Sequence, residues 1–287
     1  MNSITVNTYD ELIEQVKEIT SRLVLNSDDY RTAHYFRGHA DKDWKLLPTL
    51  LRDKNSKEDK ELLDLLPINE NDKNKIMLAT AQHYGRKTRC LDFTRNYKVA
   101  LYFACNPNDL NYDKDGAIFI LEKYYHLPNW FTNYLVYYVA IDNRSDLLGW
   151  NYAREILQKA EIVDELKRTK RSLAIDDIEC EIQWYLSKGF MVDFRKNDFG
   201  IERIKKQEAA LYYFGSKFYG VDENGKKYYQ NIDSLRYWSN QNMLYIDLHT
   251  LSDPQLQDGI CTKIIIPQRL KKEIYEKIEI EASDLGL

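Results

Sequence analysis

At 287 residues with a formal charge of -4, the chain fits one large domain or two small ones. Its acidic balance excludes a global attraction to nucleic acid or anionic lipid, so any such contact must be local. A hydrophobic share of 44% and an aromatic share of 13% suffice for a sizeable core, while only 6 prolines and 11 glycines exclude a disordered chain or a long flexible linker. Among the aromatics are 22 tyrosines, which line polar pockets as readily as they fill cores. Cys90, Cys105, Cys180 and Cys261 lie far apart with no C-x-x-C pair. That spacing supports neither a zinc site nor a disulfide framework and reads as buried thiols in a reducing compartment. The first residues lack a basic segment leading into an apolar run, and no apolar stretch reaches the length of a membrane span. The sequence therefore predicts a cytoplasmic protein with no membrane contact.

In chain order, residues 3–6 predict a short strand. Residues 7–22 carry helical spacing, with Leu12, Ile13, Val16 and Ile19 on one face and Thr8 as the N-cap. Tyr35 and Phe36 then lead into Arg37 at a strand end, and Gly38 permits close backbone approach. An arginine held there can fork onto a phosphate or carboxylate, although taken by itself Arg37 reads more simply as salt-bridged to structure. Trp44, Leu46, Leu47 and Pro48 form an extended segment packed beside it. The charge-rich residues 53–75 read as a solvated helix and loop.

Residues 80–105 are the stretch around which the chain is organised. A helix over 76–84 delivers Gln82, His83, Tyr84 and Gly85, followed by Thr88, Arg89, Cys90, Leu91, Asp92, Phe93 and Thr94. The apolar run at 99–104 is too hydrophobic for a surface loop and predicts a buried helix. Polar groups gathered before such a helix point to an N-terminus turned toward a ligand, and that end suits an anion. Asp92 or Thr94 can instead cap the helix, and for Thr94 capping is the simpler reading.

Residues 107–116 form an Asn- and Asp-rich turn, and 117–121 read as a buried strand. The aromatic region 122–150 holds a candidate strand at 137–141. Residues 151–188 turn to helix formers and charges; they form a helical insertion or cap at about 151–190, and the basic run at 167–171 is read as a solvated face. From 199 to 215 the pattern passes from helix to apolar strand, with Gln207 and Glu208 at the junction. A turn at Glu223, Asn224 and Gly225, strands at 243–249 and 262–266, and a helix over 270–278 complete the chain. Short strands scattered among helices predict an α+β fold without a regular βαβ wind. Of the five histidines, only His34 and His39 lie near one another, on either side of Arg37. They read as surface residues or as residues behind the site, so no metal is expected.

Taken together, these residues resemble a known family. Tyr35, Phe36, Arg37 and Gly38 followed by Trp44 to Pro48 resemble the signature for which the FRG domain is named. Gln82 through Gly85, Thr88 through Thr94 and Val99 through Ala104 resemble its second block closely. Arg203 and Gln207 resemble its third, and Lys263 to Pro267 fits its close. The chain departs from the pattern after Gln207, where Glu208, Ala209, Ala210 and Leu211 replace the usual small residue, glycine and phenylalanine.

A more distant resemblance is to ADP-ribosyltransferases. It implies split antiparallel or mixed sheets around a central cleft, with peripheral helices, in a single domain over 1–287. It also implies NAD as co-substrate. Arg37 would grip the diphosphate or adenosine side, residues 91–94 would stand in for a Ser/Thr strand, and Gln207 or Glu208 would take the place of a catalytic glutamate. Glu202 or Asp92 are alternative acids, and a fold that only binds is the other alternative. Gly38, His83, Tyr84, Arg89, Asp92, Thr94 and Tyr102 are the expected NAD contacts, with Tyr84 or Tyr102 stacked on the nicotinamide. The implied setting is bacterial or phage-encoded, as a toxin or anti-phage effector with a neutralising antitoxin partner. RNA is favoured over protein as acceptor, because a base can stack in a tyrosine-lined cleft.

Overall fold

The fold is described from a computed structural model, for residues 2–21, 34–52, 82, 85, 87–122, 124, 147–158, 182–183, 186–187, 189–193, 202–229, 244–251 and 261–287. The strands are β1 (Asn2–Thr5), β2 (Tyr35–His39), β3 (Cys90–Thr94), β4 (Gly116–Leu121), β5 (Leu147–Leu148), β6 (Phe190–Asp193), β7 (Ala209–Tyr213), β8 (Ser216–Val221), β9 (Lys227–Tyr229), β10 (Tyr245–Leu251) and β11 (Cys261–Ile266). The helices are α1 (Tyr9–Ser21), α2 (Thr49–Arg52), α3 (Tyr97–Cys105), α4 (Gly149–Gln158), α5 (Glu202–Lys206) and α6 (Gln268–Ile278), with a final 3-10 turn at Ala282–Leu285. None of the described helices is long and apolar enough to cross a membrane.

Among the described residues, a seven-stranded sheet runs β1-β11-β4-β2-β3-β7-β6 and a four-stranded sheet runs β5-β10-β8-β9. The protein is thus a mixed α+β fold with two sheets. β1 lies parallel to β11, and the other neighbours are antiparallel. β4 is buried along its whole length, and its alternation divides the core. Ile118 and Ile120 join Phe36, Ile264 and Ile266 under α1, α3 and α6. Ala117, Phe119 and Leu121 face the other way, with Tyr35, Leu46, Leu91, Phe93 and Tyr212.

The seam between β2 and β3 positions the site. β2 pairs with β4 from Tyr35 to His39, and β3 pairs with β7 from Cys90 to Thr94, yet β2 and β3 meet only at Phe36 and Thr94. Beyond that pair the sheet opens. Gly38 brings β2 against α3 as closely as a backbone can lie: a Cβ there would sit 1.8 Å from the Ala100 carbonyl oxygen. The close approach read from this glycine is the one observed.

Several local expectations hold for physical reasons visible here. Thr8 Oγ1 accepts from Glu11 N–H at 3.1 Å, and Glu11 Oε2 accepts from Asn7 N–H at 2.7 Å, closing α1 reciprocally. The β8–β9 turn is held by Asp222 Oδ1, which accepts from Asn224 and Lys226, with Gly225 at φ +78°. Cys90, Cys105 and Cys261 are buried thiols, and burial pushes Cys105 up to about 12.

The cap of α3 is a correction. Asn96, rather than Thr94 or Asp92, caps the helix, its Oδ1 accepting from Lys98 N–H at 3.0 Å. Pairing with β7 keeps Thr94 in the strand, and its hydroxyl instead bridges Gln207 and Asn96. The expected helix at 76–84 (Gln82 apart), the loop at 53–75, the strand at 137–141, the basic run at 167–171 and Cys180 lie outside the described residues. So does most of the predicted 151–190 insertion beyond α4.

Candidate functional site

A cavity of about 300 Å³ occupies the opening between β2 and β3. β2 contributes Phe36 to His39, β3 contributes Asp92 to Thr94, α3 contributes Val99, Ala100 and Phe103, and α5 with the turn after it contributes Arg203, Ile204 and Gln207. Trp44, Arg52, Gln82 and Asp109 complete much of the rest of the wall.

Arg37 is held on two sides. Its Nε donates to His39 Nε2 at 2.9 Å, and its Nη1 donates to the Asp92 carbonyl oxygen at 2.7 Å, with Asp92 Oδ2 at 3.9 Å. The side chain spans the place where ladder bonds between β2 and β3 would otherwise run. Burial pushes the Arg37 guanidinium down to about 10, against the pull of Asp92, so it remains a cation at neutral pH. His39 is buried, and burial, reinforced by Arg37, pushes it down to about 3. It is therefore neutral. Its Nδ1 lies 3.3 Å from the Trp44 carbonyl oxygen, which can only accept. That fixes the proton on Nδ1 and leaves Nε2 as the acceptor for Arg37.

The second block forms a hydrogen-bonded chain along the wall. Thr88 Oγ1 donates to Gln82 Oε1, and Gln82 Nε2 donates to Asp92 Oδ2 at 2.8 Å. Thr88 also ties α2 down: its N–H donates to Thr49 Oγ1 and its carbonyl accepts from Leu50 N–H. This anchors the turn carrying Arg52, whose Nε donates to Leu47 O at 3.1 Å. Asp92 and Thr94 both line the cavity.

Arg89 and Tyr102 do not. Arg89 is buried at the junction of the two sheets, where its Nη1 donates to Ser216 Oγ at 3.0 Å and its guanidinium lies over the Tyr213 ring. Tyr102 is buried on the core side of α3 beside Tyr275, and the next residue, Phe103, faces the cavity instead. Both residues expected to contact NAD are thus placed elsewhere. The described aromatic lining is Phe36, Trp44, Phe93 and Phe103 rather than tyrosine. His83 and Tyr84 lie outside the described residues.

Gln207 reaches the cavity, and Glu208 is not among its lining residues. Glu208, two residues beyond α5, lies in the left-handed region at φ 46°, and its Oε1 accepts from Asn96 Nδ2 at 3.1 Å. Gln207 presents its backbone oxygen to Thr94 Oγ1 at 2.7 Å and donates its side-chain Nε2 to Leu285 O at 3.1 Å. Arg203, one turn earlier on α5, lines the same wall.

Sequence reasoning left His39, Arg52 and Arg203 out of the site. For two of them a signal existed. His39 is two positions from Arg37 on a strand and so shares its face. Arg203 is four positions from Gln207 on a helix and shares its face likewise. Arg52 carries no local sign of its role. Among the described lining, Arg37, Arg52 and Arg203 oppose the carboxylates of Asp92 and Asp109 while His39 is neutral. The wall is cationic and suits an anionic ligand bound beside apolar rings.

These features describe an α+β protein with a cleft where its main sheet parts. The family model for the FRG domain matches residues 32–113. The match includes β2, β3, α3 and the Thr88–Asp92 chain, while Arg203 and Gln207 lie beyond it and reach the cavity through the fold. No curated protein and no solved structure matches the chain.

Proposed function

We propose that this protein is an NAD-dependent mono-ADP-ribosyltransferase whose co-substrate enters the cavity between β2 and β3. The observation that carries this reading is the convergence of Arg37, Thr94 and Gln207 on one cleft although they lie far apart in sequence. Arg37 is on β2, Thr94 is on β3 and Gln207 stands just before β7, in the sheet order β2-β3-β7, and β3 leads into α3. The resemblance to ADP-ribosyltransferases implies an arginine strand, a Ser/Thr strand entering a helix and a glutamate or other polar residue on a later strand; Gln207 stands two residues before β7 rather than on it.

The residues fit the co-substrate. Arg37 has its Nε and Nη1 engaged by protein and keeps Nη2 for a ligand oxygen, and Arg52 and Arg203 add two further cations, a donor set matched to a diphosphate. Transfer breaks the bond between ribose C1′ and the pyridinium nitrogen, whose electron pair leaves with neutral nicotinamide. The acceptor nucleophile bonds to C1′ and yields its proton to water. Positive charge gathers on the ribose as the bond breaks, as in glycoside cleavage. An acceptor oxygen on a ribose hydroxyl stabilises that charge as it forms. Gln207 Oε1 fills this role with a dipole, and the Asp92 carboxylate, which lines the same cavity, supplies charge.

The acceptor in this reading is RNA rather than protein. Trp44 lines the cavity and is 44% exposed, so its face is available to a base. Such a transferase acts as a toxin or anti-phage effector and needs a neutralising partner. Expression of the wild type is poorly tolerated in this reading, and Arg37→Ala relieves the effect.

The amide at position 207, which offers less charge than a carboxylate, favours one second reading: a nucleotide-binding module without turnover. Incubation with NAD labelled in the adenylate, with and without RNA, separates the two. Nicotinamide release with label carried on RNA supports the transferase. Release with no label carried on RNA or protein makes the protein an NAD glycohydrolase, and binding without release makes it a binding module.

A further inference from the structure

The turn at Ala282–Leu285 and the glycine after it meet two residues of the cavity wall, Gln207 and Arg203. Leu285 O accepts from Gln207 Nε2 at 3.1 Å, Ser283 O accepts from Lys206 Nζ at 3.2 Å, and the Gly286 backbone packs against Arg203. The turn is internally fixed. Glu281 and Asp284 cap it reciprocally, Glu281 N–H donating to Asp284 Oδ2 at 2.9 Å. Leu285 is buried in the cluster that holds α1, α3 and α6. A backbone carbonyl can only accept, so the group facing Leu285 O must be the NH2 of Gln207 and not its oxygen. The orientation of the amide follows: NH2 to the turn, and Oε1 as the atom left over for the cavity that Gln207 lines.

We propose that the turn Ala282–Leu285 is a positioning element that sets the Gln207 amide, so that docking of residues 281–287 and ligand contact at Gln207 are coupled. The proposal rests on the transferase reading only for its catalytic consequence. It also accounts for the amide at this position. A glutamate at 207 presents oxygen to oxygen at Leu285, which loses the bond and repels the turn, whereas glutamine satisfies the turn with one end and faces the ligand with the other.

The test has two arms on the full chain. Hydrogen exchange is read at Gly286 and Leu287, whose N–H groups donate to Ser283 O and Ala282 O. Gln207→Glu and Gln207→Met each raise exchange there by about tenfold, the loss of one net hydrogen bond, while amides of β4 and β11 stay at wild-type rates and report an intact fold. In the second arm, Glu281→Ala with Asp284→Ala loosens the turn without touching the cavity lining. Nicotinamide release then falls in kcat by about tenfold with KM for NAD within about twofold. Wild-type exchange at Gly286 and Leu287 in Gln207→Met overturns the tether. Unchanged kcat in a double variant whose turn exchanges faster overturns the positioning role. A wild-type protein that releases no nicotinamide overturns the transferase reading and the catalytic consequence with it, and the exchange arm still decides the tether.

Discussion

Arg37 donates from Nη1 to the backbone oxygen of Asp92 at 2.7 Å, across the seam where β2 and β3 have otherwise ceased to pair. One side chain therefore replaces ladder hydrogen bonds and holds the cleft open. Its second anchor, His39 Nε2, fixes the plane of the guanidinium. The remaining nitrogen, Nη2, is the one that the proposed function gives to the ligand.

His39 must be neutral to accept from Arg37, which makes the site acid-sensitive. Its folded value of about 3 lies below the ordinary 6.5, so the unfolded chain binds the extra proton between those limits. Stability contributed by the neutral ring is present above pH 6.5 and falls as pH drops toward 3. The slope from this one group is at most about 1.4 kcal/mol per pH unit. In His39→Gln, whose amide oxygen also accepts, the slope of unfolding free energy between pH 6 and 4 is shallower by up to that amount. Urea titrations at several pH values measure it, and a slope equal to wild type contradicts the assignment.

Gly38→Ala places a Cβ 1.8 Å from Ala100 O and 2.9 Å from Ala104 N. These are backbone atoms of a buried helix and cannot yield. The variant loses at least about 3 kcal/mol, at the upper end of overpacking costs, or fails to fold. Chemical denaturation of Gly38→Ala beside wild type checks this, and a loss under about 1 kcal/mol shows that β2 and α3 separate easily.

Asn96→Ala removes the α3 cap and the bond to Glu208 together. The expected loss is about 1–2 kcal/mol, seen as a lower thermal midpoint. Asp92→Ala leaves that helix end intact and costs under about 1 kcal/mol, because its partly exposed carboxylate supports the wall rather than α3. Equal losses in the two variants contradict the assignment of Asn96 as the cap.

The α+β class, the strands β2, β4 and β11, and the close approach at Gly38 were legible because each rests on local chemistry: apolar alternation, a glycine, a proline after a strand. Which arginine faces the cleft was not. Arg37 and Arg89 both sit among aromatics beside strands. Only the pairing of β3 with β7, and the position of Ser216, send Arg89 to the sheet junction. Tyr102 and Phe103 are adjacent on one helix, and its rotation is set by Tyr275 on α6, far along the chain. Thr94 and Asn96 are both good caps, and tertiary pairing decided between them by extending β3 through Thr94. The Leu285–Gln207 contact joins segments with no sequence signal in common.

The central claim is that Arg37 and Gln207 act on one NAD molecule in the cleft they share. Its most direct test is the rate of nicotinamide release from NAD by wild type, Arg37→Ala and Gln207→Ala, each confirmed as folded. The account predicts measurable turnover in wild type and a fall of at least about a hundredfold in each variant, the usual cost of removing a group that stabilises developing charge. Turnover equal to wild type in both variants, or none in wild type, contradicts it.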